Sequence, residues 1–160
     1  MKRKSLSVTK KTLNFYLTKL NDSLVRKLYT QFSNSLASLD LTNKKVMVGV
    51  SGGADSLAVL FFSQCYALKH NTKLYPVIID HKLRKESTIE AKNLKYKLKQ
   101  NFKINCKILS KKIVKINKNI QSYARDLRYD LFFEECNKQK IDYLISVSYT
   151  HLTLPTRLPV

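Results

Sequence analysis

Apolar positions along this chain switch repeatedly between two periods. Residues 1 to about 20 are basic and polar, with Leu13, Phe15, Tyr16, Leu17 and Leu20 interspersed, a pattern that allows a short helix after a frayed start. Leu24, Leu28, Phe32, Leu36 and Leu39 then recur at helical spacing, with Asn21 or Asp22 placed to cap the first turn. Lys44 to Val50 is a short, partly β-branched run and reads as a buried strand. It breaks at Ser51-Gly52-Gly53 and resumes over Leu57 to Leu68, apolar on nearly every side, as a helix beneath a sheet would be. Leu74 to Ile79 is a second strand, whose Pro76 argues for an early or edge position. Ser87 and Glu90 have capping-box spacing and open a helix on which Ala91, Leu94 and Leu98 share a face. Ile104 to Leu109 alternates weakly as a third strand, and Lys111 to Lys118 is a basic linker. A long helix begins at Asn119 and runs to about Lys138, with Ile120, Tyr123, Leu127 and Leu131 turned inward. Gln121, Arg125 and Arg128, at i, i+4 and i+7, lie on another of its faces. Asp142 to Val147 is a fourth strand.

Strands and helices alternating over connections of this length predict an α/β fold. The expected architecture is a parallel twisted sheet with right-handed crossovers and helices on both faces. Ligands of such sheets bind beyond the carboxyl ends of the strands. That rule places Ser51 to Ser56, Asp80 to Arg84 and the residues just after Val147 on one rim. The first of these segments has the composition of an anion site. Adjacent glycines let the backbone turn sharply and approach a ligand, and the following helix aims its unpaired N–H groups and positive dipole end at the same spot. Ser51 and Ser56 add hydroxyls, and Asp55 adds a carboxylate suited to magnesium beside phosphate oxygens. The pattern is neither a Walker loop nor G-x-G-x-x-G. The plain alternative is a strand–helix turn that needs glycine only for its own geometry.

Charge strengthens the polyanion reading. Thirty basic residues face eleven acidic ones among 160, a formal net charge of +19 that attracts nucleic acid, anionic membrane or acidic partners. Lys, Asn, Ile and Tyr are all plentiful, a composition that codon bias in an AT-rich genome also produces without selection for charge. Cys65, Cys106 and Cys136 are scattered, without metal-ligand spacing, as reduced thiols of a cytoplasmic protein would be. No apolar run reaches membrane-spanning length, and the basic start lacks a signal-peptide core. The length suits one domain with a real core.

Ser51-Gly52-Gly53-Ala54-Asp55-Ser56 resembles the S-G-G-x-D-S signature of the PP-loop ATP pyrophosphatases, which split ATP between its α and β phosphates. Asp80-His81-Lys82-Leu83-Arg84, followed by Ser87 and Glu90-Ala91, resembles the D-H-G-L-R…S…E-A segment of the tRNA(Ile)-lysidine synthetases within that superfamily. Asn119-Ile120-Gln121 and Ala124-Arg125-Asp126-Leu127-Arg128-Tyr129 resemble the N-[IL]-Q…A-R…R-Y helix of the same enzymes. Taken singly, His81 is more often a structural or solvated histidine, and Arg125 and Arg128 a solvated face; the order and spacing of all three motifs carry the resemblance. Two departures stand out. Lys82 replaces a glycine, and Ser148 to Pro155 matches nothing in the family's A-H-H-x-D-D-x-x-E-T segment, so His151 takes no role from it.

The resemblance implies a PP-loop fold of the adenine nucleotide alpha hydrolase type over residues 44–147, expected to be incomplete. A basic extension with one helix (1–43) precedes it, and an unrelated tail (148–160) follows. It implies ATP and Mg2+ as cofactors, and ATP-dependent adenylation of the wobble cytidine of tRNA(Ile) with a CAU anticodon. Free lysine then displaces AMP. Ser51, Gly52, Gly53, Ala54, Asp55 and Ser56 would hold the leaving pyrophosphate, with Asp55 as catalytic residue and magnesium ligand. His81, Arg84, Arg125 and Arg128 would contact nucleotide or tRNA. A cytoplasmic enzyme without membrane contact, with a homodimer admitted, is the corresponding expectation. The rivals are another PP-loop enzyme of the thiolation or amidating type, a basic RNA-binding module indifferent to ATP, and an inert fragment.

Overall fold

The computed structural model describes residues 10–111, 120–147 and 152–157. The chain divides into two compact units, residues 1–39 and 40–160.

In the first unit Lys10–Lys19 forms α1, the short helix the opening residues allow, and Ser23–Ser35 forms α2. Asp22 caps α2: its backbone is extended and its carboxylate accepts from the Val25 N–H at 3.0 Å. The buried stripe differs from expectation. Leu24 is 64% exposed and Leu28 44%, whereas Tyr29, Phe32 and Leu36 are buried. At about 100° per residue, Tyr29, Phe32 and Leu36 fall within about 60° of one another, while Leu24 lies on the flank. The tyrosine completes a tighter stripe than the leucines do.

The second unit runs β1 (Lys45–Val50), α3 (Ala54–His70), β2 (Lys73–Asp80), α4 (Ser87–Phe102), β3 (Lys107–Ser110), α5 (Ile120–Gln139), β4 (Tyr143–Val147) and β5 (Leu152–Arg157). The sheet order is β3-β2-β1-β4-β5. β1 to β4 are mutually parallel, as expected. β5 is antiparallel to β4 and occupies a stretch in which no strand was expected. The chain moves outward from β1 through β2 to β3, then returns through α5 to the other side of β1. That reversal makes the gap between β1 and β4 the topological switch point, where open α/β sheets bind ligands.

Period-two alternation divides β1 between two layers. Met47 and Gly49 face α5: Met47 clusters with Val77, Leu144, Phe132 and Cys136, and a Cβ on Gly49 would stand 2.6 Å from Phe132 Cζ. Val46, Val48 and Val50 point the other way and are equally buried, because α3 and α4 cover that face. Right-handed crossovers require this arrangement: two leftward steps put α3 and α4 on one face, and the reversal puts α5 on the other.

Three local expectations are revised. Pro76 sits on an interior strand, not at an edge, yet β3 begins pairing only at Val77, so Pro76 lies where β2 has a neighbour on one side alone. The capping box does not form. Glu86 is the N-cap residue without a side-chain bond, Ser87 Oγ accepts from the Arg84 N–H, and Glu90 pairs with Arg84. Ile120 is 60% exposed, whereas Leu127 and Leu131 are buried as expected and Tyr123 is half-buried. The linker at 112–118, Asn119 and residues 148–151 lie outside the described residues.

Candidate functional site

The three glycines of the chain are Gly49, Gly52 and Gly53, all within β1 and the turn that follows. Elsewhere, backbone positions with positive φ are filled by Asn43, Asn71, Lys82, Lys103 and Lys140. Gly49 and Gly52 stand where a Cβ is crowded, whereas a Cβ on Gly53 would meet nothing closer than Ser51 Oγ at 3.8 Å. Gly52 has φ +90° and is backed by Leu94 of α4, whose Cδ2 would lie 3.2 Å from an added Cβ. A side chain there meets backbone strain and a wall together.

Ser56 ties the turn together. Its hydroxyl accepts from the N–H groups of Ser51 (3.2 Å) and Gly52 (3.1 Å) and lies 3.1 Å from Ser51 Oγ. It donates to the Gly53 carbonyl at 2.9 Å and is only 3% exposed. Two of the groups proposed from sequence as outward-facing, the Ser56 hydroxyl and the Gly52 amide, therefore serve the loop itself. The groups that face outward are the next ones along. Gly53 is the N-cap of α3 and brings no side chain to cap it, so the N–H groups of Ala54 and Asp55 in the first turn have no intrahelical acceptor. Ser51 to Asp55 are all exposed. A pre-shaped, solvent-facing helix start with an uncapped first turn is an anion cradle. Asp55, in that turn, is the exception to its electrostatics, because a bare carboxylate repels a phosphate. A cation between them reverses the sign, and magnesium held by one carboxylate plus substrate phosphates is an ordinary arrangement. Among the described residues no group of three or more His, Cys, Asp or Glu could hold a metal without such a substrate.

The second rim segment is anchored by Asp80, a residue with a structural task. It is buried, accepts from the Lys82 N–H at 3.0 Å and from Thr88 Oγ1 at 2.7 Å, and so fastens the end of β2 to the start of α4. Lys82 adopts φ +51°, a left-handed conformation that favours glycine. The left-handed cost of about 1–2 kcal/mol is only partly offset by glycine's greater chain entropy. Lys82→Gly is therefore expected to stabilise the protein by about 0.5–1 kcal/mol, read as a higher urea midpoint at unchanged slope; an unchanged midpoint would mean that the lysine is held there without strain.

His81 and Arg128 are brought together across β2 and α5. Burial holds the His81 pKa below its ordinary value, the Arg128 charge lowers it further, and Asp80 pulls the other way. The imidazole is neutral at physiological pH, and its Nδ1 is buried without a hydrogen-bond partner among the described residues. Arg128 is half-buried and Arg125 exposed. Phe132 packs on Gly49, and one turn back along α5 is about 6 Å. Two residues along β1 cover about the same rise, so Arg128 stands level with Ser51 on the α5 side of the rim. Arg84 does not join this group: its guanidinium is exposed and paired with Glu90 at 3.1 Å. Sequence reasoning passed over Asp80 and Thr88 as the tie between the two segments; no local pattern marks a contact of that kind.

The protein-family model described as a PP-loop domain matches residues 21–150. The tRNA(Ile)-lysidine synthase of Rickettsia rickettsii (strain Sheila Smith) is 32% identical over 130 residues, which is 78% of this chain and 26% of that protein. The corresponding enzyme of Rickettsia bellii (strain OSU 85-389) is 32% identical over 128 residues, 78% of this chain and 29% of its own length. The chain thus spans between a quarter and a third of these relatives. Among solved structures, the U34-tRNA thiolase NcsA from Methanococcus maripaludis with its [4Fe-4S] cluster superposes with a TM-score of 0.65 at 21% identity, covering 76% of this chain and 44% of that one. This likeness carries the fold. With a parallel sheet in the order β3-β2-β1-β4, a glycine turn between β1 and α3, and a family match over most of its length, the chain belongs to the PP-loop domain family.

Proposed function

We propose that this chain supplies the ATP-binding part of a tRNA(Ile)-lysidine synthetase. The observation that carries the proposal is the uncapped, exposed start of α3 behind Gly52 and Gly53, with Asp55 in its first turn. In the proposed reaction the ring carbonyl oxygen of the wobble cytidine attacks the α-phosphorus of ATP and pyrophosphate leaves. The side-chain amine of free lysine then attacks the activated ring carbon, and AMP departs. Charge accumulates on the leaving pyrophosphate, where the amides of Gly53, Ala54 and Asp55 stand ready without reorganising. Magnesium, held by Asp55 and the phosphates, would neutralise that charge further. Ser56 keeps the amides aimed by holding the turn closed. Arg128 and Arg125, at the same rim, suit the phosphates or the unstacked base of an anticodon loop, and neutral His81 adds no charge of its own beside Arg128.

A thiolation reading has the structural neighbour in its favour and the thiols against it. Burial pushes Cys65 and Cys106 up to about 12 and Cys136 up to about 11, so none supplies a thiolate at neutral pH.

The test is calorimetric titration with ATP at fixed salt, with and without Mg2+, followed by pyrophosphate exchange in the presence of tRNA(Ile). Magnesium-dependent ATP binding, with exchange that requires the tRNA, is expected. Salt-sensitive RNA binding with no response to ATP would leave only a basic RNA-binding module.

A further inference from the structure

We propose that the outer face of α2 docks the sugar–phosphate backbone of RNA, a surface separate from the loop at β1. Asn21, Ser23, Arg26, Lys27, Thr30 and Gln31 line one open groove of about 550 Å³. Within the helix, Ser23, Arg26, Lys27 and Thr30 stand at i, i+3, i+4 and i+7, so the groove follows a single helix face. That face is centred about 140° around the helix from the buried stripe of Tyr29, Phe32 and Leu36. Every lining residue carries a hydrogen-bond donor, and none is acidic.

The cations in the groove are available. Among the described residues neither Arg26 nor Lys27 pairs with a carboxylate. The one acid of residues 1–39 is Asp22, whose carboxylate caps the Val25 N–H, against eight basic residues in the same stretch. Arg26 Nε donates to the Leu20 carbonyl at 3.2 Å, which fixes the guanidinium plane before any ligand arrives and leaves its terminal nitrogens to bind one. Two charged donors set among hydroxyls and amides match phosphate oxygens and ribose 2′-hydroxyls. No aromatic residue lines the groove, so bases are not stacked there and recognition is of backbone and shape.

A membrane surface is the competing polyanion, and the helix is built wrongly for it. An interfacial helix turns its apolar face into the bilayer, but here Tyr29, Phe32 and Leu36 are already buried, and the exposed Leu24 and Leu28 do not line the groove. The proposal rests on the tRNA reading above for the identity of the RNA, not for the existence of the surface.

The test is fluorescence anisotropy of a labelled anticodon stem–loop RNA bound to the full chain, titrated across salt concentrations, for the wild type and the double variant Arg26→Ala/Lys27→Ala. Each phosphate contact contributes about 0.9 to the slope of log affinity against log salt. The variant is therefore expected to lower that slope by between one and two and to weaken RNA binding about tenfold at physiological salt. Its ATP affinity and its circular dichroism should match the wild type, and Lys97→Ala/Lys99→Ala on α4 should leave the slope nearly unchanged. An Arg26/Lys27 variant with wild-type slope overturns the proposal even if ATP binds normally. So does a chain that binds phosphatidylserine vesicles but not RNA. Failure of ATP binding with the slope change intact would instead remove the enzyme reading and keep this surface.

Discussion

The Asp55→Ala variant is expected to lose the magnesium dependence of ATP binding while keeping its fold. Asp55 is exposed in the first turn of α3, bonds to no other described side chain, and sits where the uncapped amides converge. With Mg2+ present, removing the carboxylate removes the proposed protein ligand of the cation, and ATP affinity should fall about a hundredfold. Without Mg2+ the sign inverts: the carboxylate then only repels the triphosphate, so in EDTA the variant should bind ATP as tightly as the wild type or more tightly. Isothermal titration in the two buffers reads both arms. An equal loss in EDTA would show that Asp55 acts on loop geometry and not through a cation. Full magnesium-dependent affinity in the variant would place the triphosphate elsewhere.

The residues behind that prediction are legible from the amino-acid sequence. The strand, the glycine turn and the helix from β1 to α3 can be read there because each depends on short-range causes: β-branching, a missing Cβ and an apolar run. The sheet's parallel order follows from alternation and connection length in the same way. What escapes sequence reasoning depends on distant partners. Ser56 carries the same hydroxyl whether it faces a phosphate or its own loop; only the positions of the Ser51 and Gly52 amides decide, and these face inward. Ser87 and Glu90 have capping-box spacing, but Arg84 competes for both. Thr88 is meanwhile taken by Asp80, eight residues earlier. Arg84 reads like Arg128 in the motif, yet it lies exposed and pairs with a carboxylate six residues on. β5 is unreadable for another reason, since an edge strand needs only an open neighbour, and β4 offers one.

The same long-range logic sets the largest expected effect on stability, at Gly49→Ala. A Cβ at this position would lie 2.6 Å from Phe132 Cζ and 3.2 Å from Cε2, closer than real contacts come. Phe132 is 1% exposed and packed in the cluster with Met47, Val77, Cys136 and Leu144, so the ring has no free space to retreat into. Overpacking of this kind costs about 1–3 kcal/mol. For a chain of this size that corresponds to a fall of about 3–10 °C in Tm. The consequence reaches the site, because relief requires α5 to move away from β1, and α5 carries Arg125 and Arg128 to the rim. RNA binding should weaken along with stability, whereas ATP binding at the α3 start, on the other face of the sheet, should change less. Adding Phe132→Leu to Gly49→Ala should recover part of the loss, although Phe132→Leu alone destabilises by opening a cavity. That opposite sign in the two backgrounds is the signature of direct contact. Strictly additive losses in the double variant would mean that β1 and α5 do not meet at this pair, and the placement of Arg128 level with Ser51 would fall with it.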